Sequence, residues 1–212
     1  MNYLFVGAHL DDIELAAAGT IAKLKAAGHE ATMLVLSKSD YTDIHGNDLR
    51  DVQTALREGY EAATILGCEL IVLDYPTKDI PYNSSVIGDI EKVIVDKKIE
   101  AVFTHNIHDT HQAHVNTAHS TISAARYLNT IYMYEPIYPS GRAPQPFNPQ
   151  VYVDISDFIE IKLDSLRAHK SQYEKYKDEW IEAVKARAIM RGFDSRFKYA
   201  ECFELCRMEL IV

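Results

Sequence analysis

Short apolar stretches alternate with longer helical ones along the chain, and this alternation constrains the fold more than any other feature of the sequence. Buried strands are predicted at residues 3–8, 30–36, 69–73, 100–104, 130–134 and 151–153. Helices are predicted at residues 13–27, 49–66, 85–97, 113–128, 157–173 and 178–191, and residues 199–212 are expected to add one or two strands. Such βαβ succession is typical of an α/β fold with a mostly parallel sheet. With no clear boundary along the chain, we predict one domain over residues 1–212.

The charge balance and the cysteines limit the classes of partner and compartment. The chain carries 31 acidic against 22 basic residues, a formal net charge of -9, which disfavours a nucleic acid or an anionic membrane as the main partner. No apolar run reaches the roughly 18 residues of a membrane span, and no secretory signal precedes the first strand. Cys68, Cys202 and Cys206 form no CxxC pair. We therefore expect a cytoplasmic protein with reduced thiols.

Side chains that bind metals are concentrated just after two of the predicted strands. The first group follows strand one, at residues 9–14, and the second follows the strand at 100–104, at residues 105–114. The side chains of metal-binding type in these groups are His9, Asp11, Asp12, His105, His108, Asp109, His111 and His114, of which His105 and His108 are expected to lie behind the ligands or at the surface. In a doubly wound sheet these two strands are typically neighbours at the switch point, so the two loops are expected to face each other.

Each group alone also has a simpler interpretation. Asp11 or Asp12 could cap the helix that follows, and the histidines could be exposed loop residues. Two adjacent carboxylates repel each other, however, and a cation neutralises them. Imidazole and carboxylate donors suit zinc, and iron(II) fits the same set; three protein ligands leave one position open, as in catalytic sites.

At these residues the sequence resembles a known family. Residues 7–14, GAHLDDIE, are similar to the AHPDD-x-E signature of the PIG-L/LmbE family of N-acetylglucosaminyl deacetylases, and residues 111–114, HQAH, resemble its second motif, HxDH. Weaker similarity extends to about residue 204. The resemblance implies a Rossmann-like fold, a mostly parallel sheet sandwiched by helices.

The resemblance also implies a role for each matching residue. His9, Asp12 and His114 match the zinc ligands, and Asp11 matches the general base that activates water. His111 matches the histidine that stabilises the oxyanion and protonates the leaving amine. The expected cofactor is therefore one Zn²⁺ per chain, with Fe²⁺ as the other fitting ion.

Two positions depart from the family motifs. Leu10 replaces Pro, which is expected to loosen the loop backbone. Ala113 replaces the Asp of HxDH, so His111 is expected to be protonated less often. We hypothesise that Asp109 orients or charges His111 instead. Glu14 is expected to have a structural role at the helix start or a place behind the ligands.

The sequence thus predicts an enzyme that hydrolyses an N-acyl amide, in the family N-acetyl, on a sugar or sugar-like small molecule. A metal-containing protein of the same fold that binds a ligand with little or no hydrolase activity is the alternative. A phosphohydrolase with two metals would need more carboxylates, and no GxGxxG follows strand one to support a dinucleotide enzyme. Homo-oligomers occur in the family and are possible here. Arg57 and Glu58 are predicted to lie on a solvated helix face.

Overall fold

The computed structural model describes residues 1–42, 45, 47–137, 142 and 145–209, and alternating strands and helices dominate them. The strands are β1 (Asn2–Gly7), β2 (Glu30–Ser37), β3 (Tyr41–Thr42), β4 (Asp48–Arg50), β5 (Glu69–Tyr75), β6 (Ala101–Thr104), β7 (Ile131–Tyr134), β8 (Val151–Asp154) and β9 (Ala200–Arg207). The helices are α1 (Asp12–Ala26), α2 (Val52–Leu66), α3 (Ser84–Asp96), α4 (Gln112–Ala124), α5 (Ile159–Arg167) and α6 (Lys170–Ser195).

Seven of these strands form one sheet in the order β5-β2-β1-β6-β7-β9-β8. The pairs from β5 to β7 are parallel, whereas β9 runs antiparallel to both of its neighbours. This arrangement confirms the predicted α/β class. It also places β1 beside β6, with Tyr3 opposite Ala101, so the chain switches direction across the sheet between these two central strands.

The sheet is covered by helices on both faces because successive strand residues point to opposite sides. In β1, Phe5 packs with side chains of α1 and α2, while Leu4 and Val6 pack with those of α3 and α4. Helix α2 begins at the N-cap Asp51, whose carboxylate accepts a hydrogen bond from the Thr54 amide, and ends at Gly67 with a φ of 65°. These local signals fix where the helix lies against the sheet.

Several predicted elements differ in extent from the structure. The loop at 37–48 contains β3, which pairs with β4 in a short hairpin, so α2 starts later than predicted. The helix predicted at 157–173 is divided between α5 and α6 at Ala168 and His169. Lys177, with a φ of 56°, marks a kink within α6 where a gap between helices was predicted. Residues 138–141, 143 and 144 of the Pro-rich loop and 210–212 lie outside the described residues.

A buried ion pair between Lys162 and Glu201 contacts the backbone of α1 near the middle of the helix. The backbone amides of Gly19 and Thr20 donate to the two oxygens of the Glu201 carboxylate at 3.0 and 2.7 Å. The Lys162 ammonium donates to the Leu15 carbonyl at 2.7 Å and to Glu201 Oε1 at 2.6 Å. Backbone groups of α1 are therefore bonded by side chains from α5 and from β9. None of the described helices is long and apolar enough to cross a membrane.

Breaking this pair should destabilise the protein strongly. Glu201→Ala leaves the buried Lys162 ammonium without a counter-charge and two helix amides without this acceptor, and we expect a loss of about 3–5 kcal/mol in the free energy of unfolding, measured in urea. Asp164→Ala removes an exposed partner of Arg167 and serves as the control, with a loss under about 1 kcal/mol. Equal effects of the two substitutions would contradict this role of Glu201.

Candidate active site

The loop after β1 has an unusual backbone conformation, and neither of its two carboxylates caps the helix that follows. Asp11 occupies the N-cap position of α1 with a φ of 132°, yet its side chain makes no capping hydrogen bond. The Asp12 carboxylate instead accepts a hydrogen bond from the His9 amide at 2.7 Å. The capping interpretation of these residues is therefore wrong, and both side chains line a cavity.

Three of the predicted ligands converge at this point. Ligand atoms of His9, Asp12 and His114 all lie within 4.8 Å of one another. Nε2 of His114 lies 3.3 Å from Asp12 Oδ1 and 3.3 Å from Nδ1 of His9, which in turn lies 3.4 Å from Asp12 Oδ2. The adjacency of β1 and β6 brings these side chains together, and two imidazoles with one carboxylate form a donor set that fits a divalent transition metal.

The electrostatics of His114 point to the same kind of occupant. Burial lowers the pKa of this ring, but Asp12 and a hydrogen bond with Asp109 outweigh burial and raise the pKa to about 10. Burial likewise raises the pKa of Asp12, but His114, His105 and His9 together lower it well below its usual value. The site therefore strongly attracts positive charge, which a proton or a metal cation can supply.

Asp109 acts on His111, as the sequence-based hypothesis has it, and also supports His114. Its Oδ2 lies 3.0 Å from Nδ1 of His114, the ring nitrogen that faces away from Asp12. Its Oδ1 accepts a hydrogen bond from the backbone amide of His111 at 2.8 Å, and its charge opposes the lowering of the pKa of the His111 ring. A carboxylate on the outer nitrogen of a ligating histidine fixes the tautomer and the orientation of that ring.

Asp11 and His111 flank the converging donors from two sides. Burial and the charge of Asp12 raise the pKa of Asp11 to about 6. Burial and the charges of His114 and His9 lower the pKa of His111 to about 4, so its imidazole is neutral at physiological pH. The rings of His111 and His114 stack with centroids 4.4 Å apart. The low pKa agrees with the expectation that His111 is rarely protonated in this chain.

His105 is buried in the site and contacts it directly. Its Nε2 accepts a hydrogen bond from the Ala8 amide at 3.1 Å and lies 3.1 Å from Asp12 Oδ2. With Asp109 and His114 it forms a second group of three potential ligands among the described residues. Its ring stacks on that of His114 at a centroid distance of 4.0 Å, so it also restricts where His114 can point.

A buried network behind Asp11 contains residues that sequence reasoning missed. Arg50 donates to the Leu10 carbonyl at 3.0 Å and to Glu58 Oε2 at 3.0 Å, and its guanidinium lies 3.2 Å from Nδ1 of His169. Nε2 of His169 lies 2.9 Å from Glu14 Oε1. Glu58 is 1% exposed, so its predicted place on a solvated face is wrong. Glu14 is equally buried, and its carboxylate supports the His169 ring.

The cavity at the site has a volume of about 620 Å³ and extends from the histidines to α6. Its lining includes an aromatic wall formed by Tyr41, Tyr176 and Trp180, and the rings of Tyr176 and Trp180 lie with centroids 6.2 Å apart. The ammonium of Lys175 lies over the rings of both Tyr41 and Tyr176. The cavity thus joins a polar end, formed by the metal-binding side chains, to a wall suited to a flat or ring-shaped ligand.

Comparison with known proteins gives one family and several relatives. The sequence model of PIG-L, described as GlcNAc-PI de-N-acetylase, matches residues 4–125. The chain is 27% identical over 215 aligned residues to the diacetylchitobiose deacetylase of Thermococcus kodakarensis, covering 93% of this chain and 80% of that protein.

Solved structures share the fold at lower identity. The N,N'-diacetylchitobiose deacetylase of Pyrococcus horikoshii, solved with an inhibitor, superposes with a TM-score of 0.81 at 23% identity, over 97% of this chain and 84% of the other. The 4-carboxy-2-hydroxymuconate hydratase of Pseudomonas putida also gives a TM-score of 0.81, at 18% identity and over 100% and 98% of the two chains. Proteins of this fold therefore catalyse more than one reaction, and the side chains at the site determine which one.

The role of Asp109 can be tested through metal affinity. Asp109→Asn keeps an oxygen that can face His114 but removes the charge, and we expect zinc affinity to fall about 10- to 100-fold in a competition titration with a chelator. Asp96→Asn, at the exposed end of α3, changes the net charge equally and should leave the affinity unaltered. Wild-type affinity in the Asp109 variant would exclude a supporting role for its charge.

Proposed function

The chain belongs to the PIG-L family of de-N-acetylases, and from that premise we propose that it hydrolyses an N-acetyl amide on an amino sugar or a similar small molecule. The observation that carries the proposal is the position of Asp11 beside the group formed by His9, Asp12 and His114, at the polar end of a cavity large enough for a sugar. The relatives named as diacetylchitobiose deacetylases act on an N-acetylated sugar, which supports this class of substrate.

Zinc is the proposed metal, held by His9, Asp12 and His114. The two imidazoles and one carboxylate match its preferred donors, and iron(II) is the other ion that fits them. A bound zinc ion would polarise the amide carbonyl and lower the pKa of water, and three protein ligands would leave room for both. The outer contacts from Asp109 and from the His105 ring hold His114 in a ligating orientation.

Asp11 is the proposed general base. Its carboxylate lines the cavity next to the ligand group but is not a member of it, so its oxygens remain available to accept a proton from the attacking water. The proton that Asp11 takes can then pass to the leaving nitrogen. Water is added across the C–N bond in this way, and the products are a carboxylate and a free amine.

His111 is the proposed stabiliser of the oxyanion. As a neutral imidazole it retains one N–H, which can donate a hydrogen bond to the carbonyl oxygen as negative charge develops on it. The proton for the leaving amine is the one that Asp11 takes from water, delivered directly or through the His111 ring.

The aromatic wall is the proposed binding surface for the sugar ring. Apolar faces of pyranose rings pack on aromatic side chains, and Trp180 and Tyr176 present such surfaces opposite the polar end of the cavity. A small molecule that reaches from the ligand group to this wall would place an N-acyl group at Asp11. The organisation as a single domain, the cytoplasmic location and a homo-oligomeric state stay predictions.

One specific observation keeps the non-enzymatic alternative open to test. Ala113, where the HxDH motif has Asp, is fully buried among core side chains, so no carboxylate accompanies His111 at that position. A protein that binds zinc and sugar without hydrolysis would have the same fold and the same ligands. Amine release by the zinc-loaded protein separates the two.

The division of roles between Asp11 and the ligands yields the central prediction. Asp11→Asn should keep about one zinc per chain by mass spectrometry, while kcat for amine release from an N-acetylglucosamine panel falls about 10²- to 10⁴-fold, the usual contribution of a general base. His114→Ala should lose zinc and activity together, and the exposed Asp157→Asn should keep both. Loss of zinc from the Asp11 variant equal to that of the His114 variant would refute this assignment.

The aromatic wall can be tested separately from the chemistry. Trp180→Ala should raise KM for the preferred N-acetylated sugar roughly five-fold, the equivalent of about 1 kcal/mol of ring contact, with kcat little changed. Tyr127→Ala removes an aromatic ring that is 81% exposed and does not line the cavity, so its KM should equal that of the wild type. An unchanged KM in the Trp180 variant would place the sugar elsewhere.

A further inference from the structure

Two serines at the end of β2 continue the contact between β1 and β2 past the point where β1 ends. The amide and the hydroxyl of Ser37 both donate to the Ala8 carbonyl, at 3.2 and 2.8 Å. Two residues later, the Ser39 hydroxyl accepts a hydrogen bond from the Leu10 amide at 2.7 Å. Along the loop that carries His9, hydrogen bonds with these two hydroxyls thus continue the contact that backbone pairing makes between β1 and β2.

The peptide groups of Leu10 are fixed on both sides. The Leu10 amide donates to the Ser39 hydroxyl, and the Leu10 carbonyl accepts a hydrogen bond from the Arg50 guanidinium at 3.0 Å. Arg50 is itself held by Glu58 in the buried network behind the loop. The Leu10 side chain is fully buried, and a Cβ atom added at Gly59 would lie 2.5 Å from its Cδ2. Leu10 therefore has little freedom to move.

Backbone strain is concentrated at the residues next to this clamp. Asp11 has a φ of 132° and Ser39 a φ of 61°, although neither is glycine. Conformations of this kind cost about 1–3 kcal/mol each and persist only where the surroundings impose them. At Asp11, the imposing contacts are those that fix the preceding residue, Leu10.

We propose that Ser39 is a positioning residue: its hydroxyl, with Arg50 on the other side of Leu10, holds Asp11 in the strained conformation that directs its carboxylate into the cavity. This inference rests on the proposed function, in which Asp11 is the general base. It also explains how the chain tolerates Leu10 where the resembled motif has Pro. Proline has no amide hydrogen, so the bond to Ser39 exists only because Leu10 supplies one.

The first test separates the hydroxyl from the backbone strain. Ser39→Ala loses the hydrogen bond and keeps the strained φ, whereas Ser39→Gly loses the bond and relieves the strain. If the hydroxyl positions Asp11, both variants should retain zinc and lower kcat at least ten-fold with KM unchanged, because small displacements of a catalytic group are costly. Wild-type kcat in Ser39→Gly would overturn the proposal. Ser85→Ala, an exposed serine in the first turn of α3, is the control.

A double-mutant cycle tests whether Ser39 acts through the Leu10 amide. Leu10→Pro removes the amide hydrogen, so adding Ser39→Ala in that background should lower kcat no further. A second ten-fold loss in the double variant would show that Ser39 acts by another route and would overturn the proposal.

Hydrogen exchange gives a readout that does not depend on activity. The Leu10 amide should exchange at least ten-fold faster with solvent in Ser39→Ala than in the wild type, a larger change than at the amides of the neighbouring strand β1. Equal exchange rates would refute the clamp even in an active enzyme. If the wild type shows a protected Leu10 amide but releases no amine from any N-acylated sugar, the clamp stands and the proposed function fails.

Discussion

Two adjacent carboxylates, Asp11 and Asp12, are buried at the carboxyl end of β1. Because two buried negative charges repel each other, the surrounding structure has to supply positive charge to both. Asp12 meets three imidazoles, from His9, His105 and His114. Asp11 has the charges of Arg50 and His169 near it on the opposite side, and they oppose the rise in its pKa. The two carboxylates thus share His9 but otherwise have different cationic neighbours, an arrangement in which one can bind a metal while the other stays available for proton transfer.

Each set of neighbours comes from a different part of the chain. The sheet order places β6 next to β1, so the loop after β6 and the start of α4 bring the histidines and Asp109 to Asp12. Arg50 precedes α2 and His169 lies between α5 and α6, and both reach the loop from the other side. The site therefore depends on the switch in strand order. It also depends on the segment before α2 and the junction of α5 and α6, which are not part of the metal motifs.

Local patterns in the sequence predict the sheet and the potential metal ligands well. They predict the buried contacts that support the loop after β1 poorly. The alternation of strands and helices fixes the sheet, and the dense His and Asp residues at two strand ends identify the ligand group. Glu58 could not be assigned in this way, because a glutamate on a helix gives no local sign that it will meet Arg50 and Ser171 from distant segments. The role of Ser39 could not be predicted either, because its contact with Leu10 joins residues 29 positions apart and is seen only in the structure. The same limit applies to the split of the predicted 157–173 helix, whose break at His169 places that ring beside Glu14.

The ion pair between Lys162 and Glu201 gives the molecule an order of assembly. Helix α1 carries Asp12 in its first turn, yet two of its amides are bonded to a carboxylate that lies 182 and 181 residues further along the chain. A chain emerging from the ribosome would hold both metal motifs outside the exit tunnel while α1 still lacked its partner. The helix that carries Asp12 therefore reaches its final packing only after β9 has become available to it.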